Sequence, residues 1–141
     1  MLNQNFHEKV VMQSSQFESV SSPCDGVIRT LLERSEDSEY AISTTLVEFQ
    51  PDSRFDEHIH DHGEELFVIE GTFSDEFGDY PTGTYIRNPR KSKHSPYSVN
   101  GCKLFVKLLV FLLSSFTSKI SNFPSSLFSR FDNSFSLTSS K

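Results

Sequence analysis

The chain has 141 residues and carries 13 lysines and arginines against 19 aspartates and glutamates, a formal net charge of −6. An acidic chain of this kind argues against nucleic acid or an anionic membrane as its partner. Its length suits one small hydrophobic core, and a domain of this size gains from covering its sheets with a second copy, so we expect a homodimer.

The start of the chain and its cysteines favour an intracellular protein. Residues 1–9 lack the apolar core of a secretory signal, and no apolar run is long enough to span a bilayer, so we expect a cytoplasmic location. Cys24 and Cys102 are too few for a disulfide framework or a zinc cluster, and we interpret both as packing residues.

Short segments rich in β-branched and apolar residues follow one another along the chain, separated by turns that contain glycine, proline or asparagine. They predict strands at residues 27–32, 42–49, 55–60, 64–70, 84–88 and 103–108, with little helix. Short strands at this spacing indicate an all-β sandwich or barrel.

The chain divides into three segments. Residues 1–9 are an N-terminal extension, residues 10–113 form the predicted domain, and residues 114–141 are a tail rich in serine and phenylalanine. The low-complexity composition of this tail predicts disorder.

Two histidines at alternate positions of one predicted strand point to a metal site. Side chains alternate between the two faces of a strand, so His58 and His60 project to the same side and both imidazoles can reach one ion. Gly63 permits a tight turn after this pair. Glu64 then opens the next predicted strand with a carboxylate that can supply an oxygen ligand.

A further ligand, distant in sequence, is expected because a barrel brings non-neighbouring strands together. His94 is the only histidine after His62, and we predict that it completes a divalent metal site with His58, His60 and Glu64. Neutral imidazoles and one carboxylate suit Zn, Fe, Mn, Ni or Cu better than Mg or Ca. Zinc is the favoured metal, with iron or manganese as alternatives.

Two polar residues next to the predicted ligands receive other interpretations. An alternative pair of His60 and His62 would break the spacing to the carboxylate that follows, so we interpret His62 as a residue of the rim. Glu65 points to the face opposite Glu64 if the strand has begun there, and we expect it to be solvated or paired with a neighbouring strand.

Three acidic residues, Asp75, Glu76 and Asp79, lie in a predicted hairpin turn that contains glycine. Acidic residues serve solubility and turn chemistry at such positions, and we assign them no catalytic role. Tyr85 and Arg87 share one side of a strand. Either could line a pocket and contact a substrate, Arg87 an anionic one, although an exposed position is the more common outcome for a strand arginine.

The spacing of these residues resembles the two motifs of the cupin superfamily. The first motif is Gly, five residues, His-x-His, three or four residues, Glu, six residues, Gly, and its last four fixed positions are matched here by His58, His60, Glu64 and Gly71. The second is Gly, five residues, Pro-x-Gly, two residues, His, three residues, Asn, matched by Gly83, Pro89 and His94.

This chain departs from the two motifs at three positions. Asp52 stands where the first motif begins with glycine, Lys91 replaces a glycine of the second motif, and Ser98 replaces its asparagine. Within the superfamily, residues 63–76 and 78–89 resemble the ChrR-type cupins.

The resemblance implies a double-stranded β-helix, that is, a jelly-roll barrel, with a metal inside its mouth. It leaves three functions open: a metal-dependent oxidoreductase of the dioxygenase type that acts on a small oxygenated molecule, a non-catalytic zinc-binding module, and a stress-sensing module. ChrR is an anti-sigma factor, but that role requires a preceding helical zinc-binding domain. This chain has no His and Cys cluster for such a domain, so the role is not carried over.

Overall fold

The computed structural model describes residues 2–35 and 40–111. Apart from a 3-10 turn at Ser14–Gln16, the regular elements in these ranges are strands, which confirms the all-β prediction. The strands are β1 (Ser19–Ser21), β2 (Val27–Arg34), β3 (Tyr40–Phe49), β4 (Ser53–Arg54), β5 (His58–His60), β6 (Glu64–Asp75), β7 (Gly78–Pro81), β8 (Tyr85–Asn88), β9 (Ser92–His94), β10 (Tyr97–Ser98) and β11 (Cys102–Phe111).

Nine of the described strands form one antiparallel sheet, and two form a separate ribbon. The sheet has the order β1-β2-β3-β11-β6-β10-β4, with β7 and β8 also paired to β6. The ribbon consists of β5 and β9. Long pairings of β11 with both β3 and β6 make β11 the centre of the sheet. Residues of β2, β3, β6 and β11 line one cavity, so the sheet curls around one interior.

The strand β6 is longer than the sequence predicts, because it changes partners at Gly71. Residues before this glycine pair with β11 and β8, and residues after it pair with β7 and β10. Gly71 adopts a φ of +77°, and a Cβ at this position would lie 2.2 Å from the carbonyl oxygen of Gly101. The local pattern of apolar residues does not reveal such a continuation, so the prediction ended the strand at residue 70.

The core lies inside the curled sheet. Its buried apolar members come from four strands and are Val27, Phe49, Leu66, Val68, Phe73, Cys102, Leu104 and Val106. Phe49 contacts Phe73 edge to face, with ring centroids 6.0 Å apart. Cys102 is a core residue and Cys24 packs against the core, both as free thiols, in agreement with their prediction as packing residues.

Leu2 forms an isolated antiparallel bridge with Arg34, so the N-terminal extension contacts the edge of β2. The predicted tail at residues 114–141 lies outside the described residues. No helix in residues 2–35 and 40–111 has the length and hydropathy needed to cross a bilayer. The homodimer and the cytoplasmic location stay predictions.

Candidate metal centre

The ribbon of β5 and β9 brings together histidines that lie far apart in sequence. His58 stands directly opposite His94 in the antiparallel register, and His60 follows two positions along β5. Ile59, between the two β5 histidines, is 61% exposed, so the alternation of the strand turns both histidines to the inner side. They share one face of the strand, as their spacing predicts.

The imidazoles of His58, His60 and His94 form a cluster that could hold a metal ion. One ring nitrogen of each lies within 4.8 Å of the others. The Nε2 atoms of His60 and His94 are 3.0 Å apart. His60 and His94 are buried, whereas His58 is half-buried at the edge of the cluster.

Glu64 lies beside this cluster at the start of β6. Its Oε2 is 3.4 Å from His60 Nε2 and 3.7 Å from His94 Nε2, and the residue is buried. Asn88 stands opposite Glu64 in the pairing of β8 with β6 and donates a 3.0 Å hydrogen bond from Nδ2 to the same oxygen. The carboxylate therefore neighbours the cluster, and its role as a fourth ligand stays a prediction.

Two of the three rings have their other nitrogen engaged. His58 Nδ1 lies 2.9 Å from the carbonyl oxygen of Asp56, and His94 Nδ1 lies 3.4 Å from Asp75 Oδ2. A proton on each Nδ1 satisfies these acceptors and leaves Nε2 with a free lone pair. This is the tautomer that a metal ligand with an Nε2 donor requires.

Asp75 belongs to the site, although the sequence analysis placed it in a turn. It is the last residue of β6, and its side chain is only 3% exposed. Its Oδ1 accepts hydrogen bonds from the Tyr80 hydroxyl at 3.2 Å and from the Phe77 backbone N–H at 2.9 Å, while Oδ2 faces His94. A carboxylate fixed in this way can orient the His94 ring.

The other acidic residues of this hairpin make surface or structural contacts. Only Glu76 and Phe77 form the turn, because Asp75 already pairs with Gly78. Glu76 Oε2 accepts a hydrogen bond from the Ser95 backbone N–H, which lowers the pKa of Glu76. Asp79 lies in β7 and accepts a 2.6 Å hydrogen bond from the Ser74 hydroxyl. The turn placement was thus wrong for Asp75 and Asp79.

The electrostatic surroundings keep His60 neutral. Burial is the largest cause and lowers the pKa of His60. The neighbouring Glu64 carboxylate raises that pKa, and His94 and His58 lower it further, with a net lowering below the ordinary value. A neutral imidazole is the form that binds a metal ion.

A cavity of about 540 Å³ opens in front of the cluster and includes all three histidines and Glu64 in its wall. Most other wall residues are apolar, namely Leu31, Ile42, Val47, Phe49, Phe55, Leu66, Phe73, Leu104, Val106 and Leu108. This volume and lining are typical of small-molecule sites, which combine an apolar wall with a few polar groups.

Neither Tyr85 nor Arg87 lines this cavity, so the hypothesis that one of them contacts a substrate there is wrong, and Arg87 has the exposed position that is more common for a strand arginine. Arg87 donates a 2.9 Å hydrogen bond from Nε to Glu65 Oε1 on the outer face of the sheet, and its side chain is exposed. Tyr85 is also exposed. Both alternate along β8 with residues that face inward. Glu65 is paired with a neighbouring strand, as expected.

His62 lies outside the histidine cluster. It follows β5 in the connection to β6 and is half-buried, with Nδ1 3.4 Å from a guanidinium nitrogen of Arg90. The three-residue cluster contains His60 and not His62, which agrees with the choice of His58 and His60 as the pair; the place of His62 at the rim stays a prediction.

The three motif departures are accommodated by the backbone. Asp52 and Lys91 stand where the motifs have glycine, and they adopt left-handed conformations with φ of 60° and 64°. Lys91 also forms an ion pair with Asp61 and donates its backbone N–H to the carbonyl oxygen of His60. Ser98 is buried and donates a 2.7 Å hydrogen bond from its hydroxyl to the carbonyl oxygen of Thr72. The turns therefore retain the shape that glycine favours.

The curled antiparallel sheet with an inward histidine cluster defines a cupin barrel. Residues 7–111 match the family described as the ChrR Cupin-like domain, and the chain belongs to that family. This confirms the resemblance seen in the sequence. Among curated proteins, no match was found.

Solved structures show the same fold. An acetylacetone dioxygenase from Acinetobacter johnsonii is similar with a TM-score of 0.62 and 17% identity, covering 76% of each chain. An RmlC-like cupin from Shewanella frigidimarina has a TM-score of 0.61 and 17% identity, covering 72% of this chain and 91% of its own. The anti-sigma ChrR of Rhodobacter sphaeroides, solved with SigE, has a TM-score of 0.54 and 17% identity, covering 65% of this chain and 48% of its own.

Proposed function

We propose that this protein is a divalent-metal-binding cupin that acts on a small oxygenated molecule, as a metal-dependent oxidoreductase of the dioxygenase type. The observation that carries the proposal is the position of the histidine cluster, which lies in the wall of an apolar cavity and not on the surface. A site in such a wall can hold an ion and a small ligand together.

The donor set fits a transition-metal ion. His60 Nε2 and His94 Nε2 lie within hydrogen-bond distance, 3.0 Å apart, and a ring nitrogen of His58 lies within 4.8 Å of both. Imidazole nitrogens are ligands that zinc, iron, nickel and copper accept. An ion held by these side chains would supply its remaining coordination positions to ligands from the cavity.

Each residue of the site has a distinct part in this proposal. The three histidines, with Glu64 as the predicted fourth ligand, would hold the ion. Asp75 fixes the ring of His94, and Asn88 fixes the carboxylate of Glu64. When bound, the metal would supply Lewis-acid or redox chemistry to the oxygen atoms of the ligand. The apolar wall excludes water from that ligand.

A non-catalytic zinc-binding module is the second candidate. The buried Glu64 carboxylate lies within 3.7 Å of two histidines, so four protein ligands could surround zinc and close its coordination sphere. The cavity in front of the cluster favours the first candidate, because a closed site needs no adjoining space.

Metal content and coordination test the proposal. Protein purified without added metal is analysed for elements, and the cobalt-substituted form is followed by absorption spectroscopy while a small oxygen ligand is added. We expect one ion per chain and a spectrum that changes on addition. Oxygen uptake with acetylacetone, the compound in the name of one structural neighbour, gives a first test of activity. Stoichiometric zinc and a four-coordinate spectrum that added ligands leave unchanged would favour the zinc module instead.

A further inference from the structure

Arg29 places a cationic group in the wall of the cavity, on a strand that the metal site does not use. It lies in β2, opposite Val47 of β3 and therefore two strands from β11. Its neighbours in sequence show the alternation of the strand, because Val27 is buried in the core and Ile28 is exposed. Arg29 thus extends from the inner face of the sheet into the cavity.

The guanidinium of Arg29 has an unused donor. Its Nε is buried and forms no hydrogen bond with any group in the part of the chain that the structure describes. A buried donor without an acceptor destabilises the protein, and more so when the group is charged. Such a cost is offset when a ligand supplies the acceptor.

The charges around the cavity favour an anionic ligand. Glu64 is the only acidic residue among the described residues of the wall, and Asn88 already donates to it. Arg29 therefore faces an apolar surface formed by residues such as Leu31 and Val47, with no carboxylate of the described wall left to pair with it. A divalent ion at the histidines would make the interior more positive still.

We infer that Arg29 binds the carboxylate of a small organic acid whose other end reaches the metal held by His58, His60 and His94. This inference rests on the proposed function and names the class of ligand. A carboxylate is favoured over a phosphate because buried phosphates are usually cradled by several backbone N–H groups. In this wall the strands use those groups in their ladders.

Calorimetry on the zinc-loaded protein tests the inference with matched ligands. Malonate, succinate, glutarate and adipate measure the distance between the two anchoring points, and each is compared with its half-amide, which has the same shape and one charge fewer. We expect the best dicarboxylate to bind about ten- to a hundredfold more tightly than its half-amide, the range that a charge-assisted hydrogen bond supplies.

Two substitutions assign the preference to Arg29. Arg29→Gln should reduce the affinity for the dicarboxylate to that of the half-amide, and Arg29→Lys should retain part of the difference because the charge remains without the planar fork. Arg87→Gln is the matched control, since it removes the same charge from the outer face of the sheet. It should leave both affinities at wild-type values.

The possible results separate this inference from the proposed function. A protein that binds no zinc contradicts the metal site, and the same ligands are then compared by the thermal midpoint of the metal-free wild type and Arg29→Gln. In that case, a rise in the thermal midpoint on addition of dicarboxylate in the wild type, but not in Arg29→Gln, supports the role of Arg29. Equal affinity for dicarboxylate and half-amide at every length, or a preference that survives Arg29→Gln, overturns the inference. Tighter binding of 3-phosphonopropionate than of succinate would assign the site to phosphonates and phosphates.

Discussion

Gly71 has no room for a side chain, and Gly83 does. Both are motif glycines with positive φ, but a Cβ at Gly71 would meet the Gly101 carbonyl oxygen at 2.2 Å, whereas a Cβ at Gly83 would have no atom within 4 Å. Only the first glycine is therefore required for packing as well as for its backbone conformation. It lies where β6 changes partners, so its role concerns the sheet and not the metal.

We expect Gly71→Ala to lower the free energy of unfolding by about 2–5 kcal/mol, because left-handed strain of about 1–2 kcal/mol adds to an overpacking cost of about 1–3 kcal/mol. Gly83→Ala should cost only the strain. Urea unfolding of both variants measures the difference. Equal losses for the two variants would show that the backbone at Gly101 moves aside without cost.

The negative charge of Asp75 faces His94 Nδ1. Asp75→Asn removes this charge and retains the shape of the side chain. We expect metal affinity to fall about 10–100-fold, the usual effect of losing a group that orients a ligand. Asp79→Asn on the same hairpin is the control and should bind metal like the wild type. The role of Asp75 would be refuted if both variants bound metal equally well.

The strand β8 shows how one element serves two environments. Asn88 faces inward and donates to Glu64, while Arg87, its neighbour in sequence, faces outward and pairs with Glu65. We expect Asn88→Ala to weaken metal binding about tenfold, since the Glu64 carboxylate loses its partner. Arg87→Ala should leave metal binding unchanged and cost at most about 1 kcal/mol of stability, because its ion pair is exposed. Metal titration and urea unfolding of both variants measure these effects, and a larger metal defect in Arg87→Ala would contradict the assignment of faces.

The local pattern of apolar and polar residues predicted many of the strands and part of the candidate metal site. The inward pair of His58 and His60 follows from a period of two, which any strand must obey. The positions of Asp75 and Asn88 depend instead on which strands pair and in which register, and a single sequence does not show these long-range pairings. For the same reason, the sequence left open whether Tyr85 and Arg87 line the pocket or face outward.

At two positions this chain lacks a glycine of the motifs, and the sequence left open whether the turns there keep their shape. Asp52 and Lys91 could have changed the two turns, but both adopt the left-handed conformation. The barrel keeps its motif geometry without the motif residues, because the surrounding strands hold the turns. Departure from a motif at such positions therefore does not indicate a lost metal site.

The stability of the metal-free protein should depend on pH through His60. Burial lowers the pKa of His60 in the folded state, so between that pKa and the unfolded value of about 6.5 the unfolded chain binds more protons. The free energy of unfolding should therefore fall as pH decreases through about 6.5, and this contribution should level off below the folded pKa. Urea unfolding of the metal-free wild type, His60→Gln and His62→Gln checks this. The decrease should be reduced in His60→Gln alone, and identical pH profiles for all three proteins would contradict it.

The central claim is that His58, His60 and His94 hold one metal ion, and metal stoichiometry in two histidine variants tests it most directly. Calorimetric titration with zinc, supported by elemental analysis, is performed on the wild type, His94→Ala and His62→Ala. We expect one ion per chain for the wild type and for His62→Ala, and a loss of affinity of more than about a hundredfold for His94→Ala, since removing a ligand exceeds the effect of removing its orienting group. Retention of wild-type affinity in His94→Ala, or an equal loss in His62→Ala, would contradict the account.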